Sequence, residues 1–206
     1  MAGSTRQFDL DNRIRHPGRS CPRQRRWRRS VAARLLPAFV WLLVTTVVLA
    51  QDPTREYKIK AAYLYNFGRY IEWPDSAFRE SASTFVIGVM QSDPIGADLD
   101  SIAAAKRIAG RNITVRRFST AEEVTRCHIL FLPRTAGDEV VKSIVSRFAG
   151  QHTLFVGEAD SFLENGGVIG FVIQQNNVRV MIALKAAERE NLKISSKLLQ
   201  VAQVVN

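Results

Sequence analysis

Cysteine, histidine and closely spaced metal ligands are what this 206-residue sequence has least of. It holds two cysteines, Cys21 and Cys127, and three histidines, His16, His128 and His152. There is no Cys-x-x-Cys, no His-x-x-x-His and no dense carboxylate cluster, so no metal centre is expected. Glycine-rich phosphate loops are missing too. Gly166-Gly167 precedes a strand-forming stretch rather than a helix, which is the wrong geometry for a nucleotide fingerprint. Cys127 and His128 are neighbours, but adjacent strand residues point to opposite faces, so they do not form a thiol–imidazole pair. Ser195-Ser196-Lys197 sets serine and lysine one or two apart rather than three, and no helical face aligns them as a dyad. No catalytic residue and no cofactor are therefore assigned.

Long apolar runs are equally scarce. One stands out, Leu35 to Ala50 (LLPAFVWLLVTTVVLA), sixteen residues without a charge. It falls short of the ~20 apolar residues that cross a bilayer comfortably. Ten arginines lie in the first 34 residues, most of them just ahead of the run. A basic segment followed by a short apolar one reads as a secretory signal, with residues 35–50 as its h-region. Val48-Leu49-Ala50 offers compact residues where a signal peptidase reads, so cleavage is expected after Ala50, with export to the periplasm. The alternative is an uncleaved N-terminal anchor. The pairs Arg25-Arg26 and Arg28-Arg29 lack the apolar residues that a twin-arginine route prefers. No cysteine follows the run closely, which argues against a lipid anchor.

This signal reshapes the bulk charge. The whole chain carries +10 and looks suited to nucleic acid, but ten of its 29 basic and two of its 19 acidic residues belong to the first 34. The rest holds 19 basic against 17 acidic residues, a net of +2, and no nucleic-acid partner is expected. Residues 51–206 are then one domain by length, able to bury a core without staples. Only Cys127 remains in it, so it has no internal disulfide. Its apolar setting, Cys127 to Leu132 (CHILFL), reads as a buried, inert thiol.

Periodicity orders this domain. Residues 54–73 read as a helix whose apolar residues cover more than half its circumference. A single-face helix needs a stripe of only ~100°, so this one should touch the sheet and something else. Trp73-Pro74 ends it. Residues 84–90 form a buried strand. Asp93 is an N-cap with Pro94 at the first helical position of a helix 94–105. Strands follow at 113–118, 127–132 and 152–156, with a short helix opening at 120–123 and a longer one at 136–148 that Gly150 ends. Residues 160–163 make one helical turn. Two strands, 168–174 and 178–184, joined by three residues, must pair antiparallel. Helical residues 185–190 break at Asn191, and a last helix runs from Ser195 or Ser196 to Val204. The fold class is α/β: three layers, a mostly parallel sheet with helices on both faces, and a C-terminal antiparallel hairpin.

Several stretches together carry a resemblance. They are Lys60 to Phe67 with Glu72-Trp73-Pro74; Phe85 to Val89 with Asp93-Pro94-Ile95-Gly96; Cys127 to Phe131; Thr153 to Gly157; Gly166 to Ile169; and Leu192 to Leu199. In this order and spacing the chain resembles the YfiR family over nearly all of residues 55–205. The resemblance implies a periplasmic, non-enzymatic regulator that forms dimers. Such proteins restrain a membrane diguanylate cyclase, YfiN, by binding its periplasmic sensor part, and are sequestered by an outer-membrane lipoprotein, YfiB. The output is cyclic di-GMP level and biofilm behaviour. The best-known members carry more cysteines and use disulfides; this sequence departs from them.

Two sets of residues are singled out. Tyr65, Arg69 and Trp73, on the margin or end of the first helix, are candidate partner contacts, whether the partner is a membrane receptor or a second copy in a homodimer. The competing reading is that this helix is simply deeply packed. Asp93 and Gly96, at the carboxyl end of a parallel strand beside a helix N-terminus, make a candidate ligand loop. That loop would suit a periplasmic small-ligand-binding module serving another inner-membrane receptor.

Overall fold

A computed structural model describes residues 53–78, 84–91 and 95–205. The expected export signal and its cleavage after Ala50 lie outside the described residues, as do Asp93 and Pro94.

The chain alternates helix and strand. Helix α1 (Pro53–Tyr70) leads into a two-residue strand β1 (Ile71–Glu72) and a single 3-10 turn, Asp75–Ala77. Then come β2 (Phe85–Met90), α2 (Ile95–Ala105), β3 (Arg107–Ile108), β4 (Arg111–Phe118), β5 (Ile129–Leu132), a 3-10 turn at Arg134–Ala136, α3 (Asp138–Phe148) and β6 (Leu154–Gly157). The last part is β7 (Ile169–Gln174), β8 (Asn177–Ala183), α4 (Leu184–Arg189), β9 (Lys193–Ile194), α5 (Ser196–Leu199) and β10 (Gln203–Val205).

Eight strands form one sheet in the order β10-β8-β7-β6-β5-β2-β4-β3. Pairing is parallel from β4 through β2, β5 and β6 to β7. It is antiparallel between β7 and β8 and between β3 and β4. Strands β2, β5 and β6 are buried at every position, which is why each reads as an unbroken apolar run instead of an alternating one. The first of the parallel strands, β2, has β4 on one side and β5 on the other, so the strand order reverses there. A small second sheet pairs β1 with β9, Ile71 opposite Ile194 and Glu72 opposite Lys193.

The broad apolar face of α1 is covered from within the chain. It packs on α2, β3, β8 and α5. Tyr63 and Phe67 stack at 5.8 Å, and both lie 5.9 Å from Phe171 of β7. The second neighbour that its width requires is therefore α2 and α5. Ile59 is left 37% exposed on the outer side.

Five expectations are corrected. The first helix stops at Tyr70, because Ile71 and Glu72 take partners in β9 and leave the helical ladder. Trp73 is thus past the helix. Residues 121–123 form a turn rather than a helix, closed by the Ser119 amide donating to the Glu123 carboxylate at 2.7 Å. The last helix is only Ser196–Leu199, capped by the Ser195 hydroxyl, which accepts from the Leu198 amide at 3.4 Å. Gln203-Val204-Val205 instead adds a parallel strand beside β8, as two β-branched residues favour. The β7–β8 connection is two residues, with Gln175 and Asn176 at φ 49° and 65°, the left-handed pair that matches strand twist. Residues 160–163, expected as one helical turn, form an irregular turn around Phe162. Its ring occupies the space where a Cβ on Gly157 or Gly167 would sit, so both positions exclude a side chain.

Candidate functional site

α1 spans the sheet from one end to the other. Lys60, near its start, meets Glu158, the first residue after β6. Trp73, just past its end, meets His152, just before β6. The two ends of the sheet carry different chemistry.

At the carboxyl end the polar groups satisfy one another. Lys60 is only 3% exposed and is paired with both Glu56 and Glu158. Burial pulls its pKa down, but the hydrogen bonds and charges of Glu158 and Glu56 outweigh this and hold it above the ordinary lysine range. Arg134 grips Asp160 with two hydrogen bonds of 3.1 Å. The Asp160 carboxyl is lowered by that hydrogen bonding and charge. Where the strand order reverses, between β2 and β5, the Thr135 hydroxyl donates to Gln91 Oε1 at 2.5 Å. Gly96 is buried at the start of α2. Its carbonyl accepts from Arg117 Nη2 at 3.0 Å, and the same nitrogen meets Asp100 at 2.5 Å. Beside Gly96 the Arg117 side chain of β4 takes the space, while Asp93, the other residue of the expected ligand loop, lies outside the described residues.

The amino end is aromatic and cationic. Trp73 meets Phe85 edge-on at 5.0 Å, and its Nε1–H donates to the His152 carbonyl at 3.0 Å. The His128 ring is sandwiched between Phe78 at 4.6 Å and Phe85 at 4.8 Å. His128 Nδ1 accepts from the Val86 amide at 2.9 Å, which requires a bare Nδ1 and so puts the ring proton on Nε2. Burial first, then the charge of Arg126, push the His128 pKa down to about 4. His152 Nδ1 donates to the Glu190 carbonyl at 3.0 Å and its Nε2 accepts from Ser76 at 3.1 Å. The Glu190 carboxylate, 4% exposed, accepts from the amides of Gly150 at 3.0 Å and Thr153 at 3.3 Å. Cys127 and His128 do diverge: the Cys127 thiol donates to the Thr125 carbonyl at 3.2 Å. Burial pushes that thiol up to about 12, which suppresses the thiolate a nucleophile needs. Among the described residues no group of three His, Cys, Asp or Glu could hold a metal ion.

Of the three candidate partner contacts, two come together. Arg69 is exposed, with its guanidinium 5.7 Å from the Tyr65 ring and 5.6 Å from Tyr70. Tyr70 belongs with them; it lies one residue from Arg69, and the i, i+4 spacing of Tyr65 and Arg69 is the signal that marks the patch. Trp73 is directed inward instead, against Phe85 and His152. The convergence of Trp73, His128 and His152 had no local signal, because its members are 24 to 79 residues apart in the chain.

A conserved domain protein from Vibrio cholerae is similar in structure, with a TM-score of 0.48 over 71% of this chain and 60% of that one, at 12% identity. The ABC domain from Streptococcus pneumoniae, solved in complex with L-Trp, gives 0.44 over 58% and 55%, at 16% identity. The chain therefore spans about 60% and 55% of the lengths of these two proteins. No curated protein matches the sequence. Residues 57–203 match the YfiR/HmsC-like family, and the chain belongs to that family.

Proposed function

We propose that this protein is a non-enzymatic periplasmic regulator that binds the periplasmic sensor part of a membrane diguanylate cyclase and so lowers cyclic di-GMP. The observation that carries the reading is the family match across residues 57–203. Two features of the chain support it. Its first 50 residues have the charge and apolar pattern of a cleaved export signal. The outer side of α1 presents Arg69 between Tyr65 and Tyr70, and arginine and tyrosine are the residue types that most often anchor protein interfaces. The reading extends to a homodimer and to sequestration by an outer-membrane lipoprotein.

The test is a pull-down. The full chain, tagged at its C-terminus, is expressed in its own organism, and membranes are solubilised and captured. A membrane cyclase should be recovered, and cyclic di-GMP should rise when the gene is deleted. Arg69→Glu should release the cyclase. Recovery of a different receptor, with cyclic di-GMP unchanged on deletion, would overturn the cyclase assignment. N-terminal sequencing of the captured protein should begin at Gln51; an intact N-terminus would mean an anchor. Sedimentation of the same material reads the dimer directly.

A further inference from the structure

An open cavity of about 370 Å³ lies below the amino ends of β2, β5 and β6. It is at the opposite end of the sheet from Gly96 and from the Lys60 cluster. Residues leading into β5 (Thr125, Arg126, His128) and β6 (His152) line it, together with Arg116 from β4 and Ala77. Its volume is in the range of small-molecule sites, roughly 300–1,000 Å³.

The lining is unbalanced. Among the described residues that line it, no side chain is a carboxylate. Arg116 and Arg126 enter no ion pair among the described residues; each has a single neutral acceptor, the Thr125 hydroxyl at 3.1 Å and the Ser76 carbonyl at 3.3 Å. A guanidinium carries five N–H donors in a fork that fits carboxylate and phosphate, so most of this capacity is unspent. His128 adds to the excess. Its Nε2 carries the ring proton and is fully buried; the Ala77 backbone lies near enough to favour the protonated ring but outside full hydrogen-bonding geometry. A buried donor without a full hydrogen bond is costly, on the order of 1–3 kcal/mol, and demands an explanation. Two cationic forks line one space beside the His128 ring, and among the described residues no anion of the protein meets them there.

We propose that this cavity binds a small anion through its carboxylate or phosphate group, with Arg116 and Arg126 as the charged clamps and the His128 ring in the cavity wall. Such a group supplies several acceptor oxygens and charge-assisted hydrogen bonds of the stronger class. The occupant would also lie against His152, the residue whose carbonyl holds Trp73 at the end of α1.

The experiment is a titration of the purified full chain at neutral pH and constant ionic strength. Inorganic phosphate is the probe in one arm and succinate in the other. The readout is the NMR signals of the His128 and His152 rings and of the Thr125 and Arg126 amides. At least one probe should produce saturable shifts confined to these residues, and the stronger arm names the group. Arg116→Gln combined with Arg126→Gln should weaken binding at least about tenfold, the loss expected of a charge-assisted contact. Should the double variant fail to fold, Arg116→Gln alone, an exposed side chain, should still weaken it. The proposal is overturned if neither probe gives a saturable shift up to tens of millimolar, or if the folded variants bind as the parent does.

Discussion

The indole Nε1–H of Trp73 donates to the backbone carbonyl of His152 at 3.0 Å. This bond fastens the segment after β1 to the turn that leads into β6, and Phe85 closes the joint edge-on at 5.0 Å. Trp73 is therefore expected to act on stability before it acts on any partner. Trp73→Phe keeps most of the packing and leaves the His152 carbonyl without its donor, costing about 1 kcal/mol. Trp73→Ala also removes the ring from Phe85 and should cost about 3 kcal/mol. Urea denaturation measures both. Unchanged stability with weakened partner capture would return Trp73 to the interface.

The sequence pattern that extends the first helix to Trp73 has a physical basis. Tyr57, Ile59, Tyr63, Leu64, Phe67 and Tyr70 keep helical period up to Trp73-Pro74, where proline is the stop signal. What ends the helix early is Lys193-Ile194, more than 120 residues later, which pairs with Ile71-Glu72. No local reading contains that pairing. The fully apolar strands are the opposite case. Phe85–Met90, Ile129–Leu132 and Leu154–Gly157 are bounded by turn residues and buried on both faces, so composition alone identifies them.

Lys60 is the buried counter-ion of two carboxylates, and its loss should be among the most damaging single changes. Lys60→Met preserves much of the volume but leaves Glu158, whose side chain is 11% exposed, and Glu56 without a cation. Removing one partner of a buried pair costs about 3–5 kcal/mol; because Glu56 is partly solvated, about 3 is expected. Adding Glu158→Gln should restore part of the loss, a recovery that packing alone would not give. The pH sense follows from the raised lysine pKa. The pair's contribution is whole below the unfolded lysine value of 10.5 and disappears as pH rises above it through the higher folded value.

Gly88 sits at the centre of β2 because its neighbours leave no room. A Cβ there would lie 2.7 Å from Cys127 Sγ and 2.9 Å from both Leu130 Cδ1 and Phe118 Cε2. Gly88→Ala should destabilise by about 1–3 kcal/mol through overpacking, read as a drop in melting temperature. A neutral result would mean that these three side chains can retreat together.

The two histidines illustrate how little of a site a sequence can show. Their positions before β5 and β6 were evident from the apolar runs that follow them. That both converge on one cavity with Arg116 and Arg126 depends on β2 lying between β4 and β5, a feature of topology rather than of spacing.

His128 is held neutral, and this predicts a pH dependence of stability. Its folded pKa, about 4, is below the unfolded value of 6.5. Between these two values the unfolded chain binds a proton that the folded chain does not, so acid favours unfolding. Stability should fall as pH drops from 6.5 toward 4. Arg126 and Arg111 face the ring and sharpen the effect. His128→Gln should flatten the profile in this window while leaving the steeper loss below pH 4, where carboxylates such as Asp160 are protonated. Equal slopes in the two proteins would show that another group titrates there.

Cys127 is expected to be chemically silent in the folded protein. It is 3% exposed, and burial holds its thiol up at about 12 against the opposing charge of Arg116. At neutral pH the thiolate fraction is then on the order of 10⁻⁵, a thousandfold below that of a free cysteine. A maleimide should label the native chain far more slowly than the denatured chain, with the labelling rate set by opening of the fold. Stability should also be the same under reducing and oxidising conditions, because Cys127 is the sole cysteine after residue 50. Fast labelling of the native protein, or a reductant-sensitive melting temperature, would show that the thiol is reached without unfolding and would give this chain the redox chemistry that its single buried cysteine argues against.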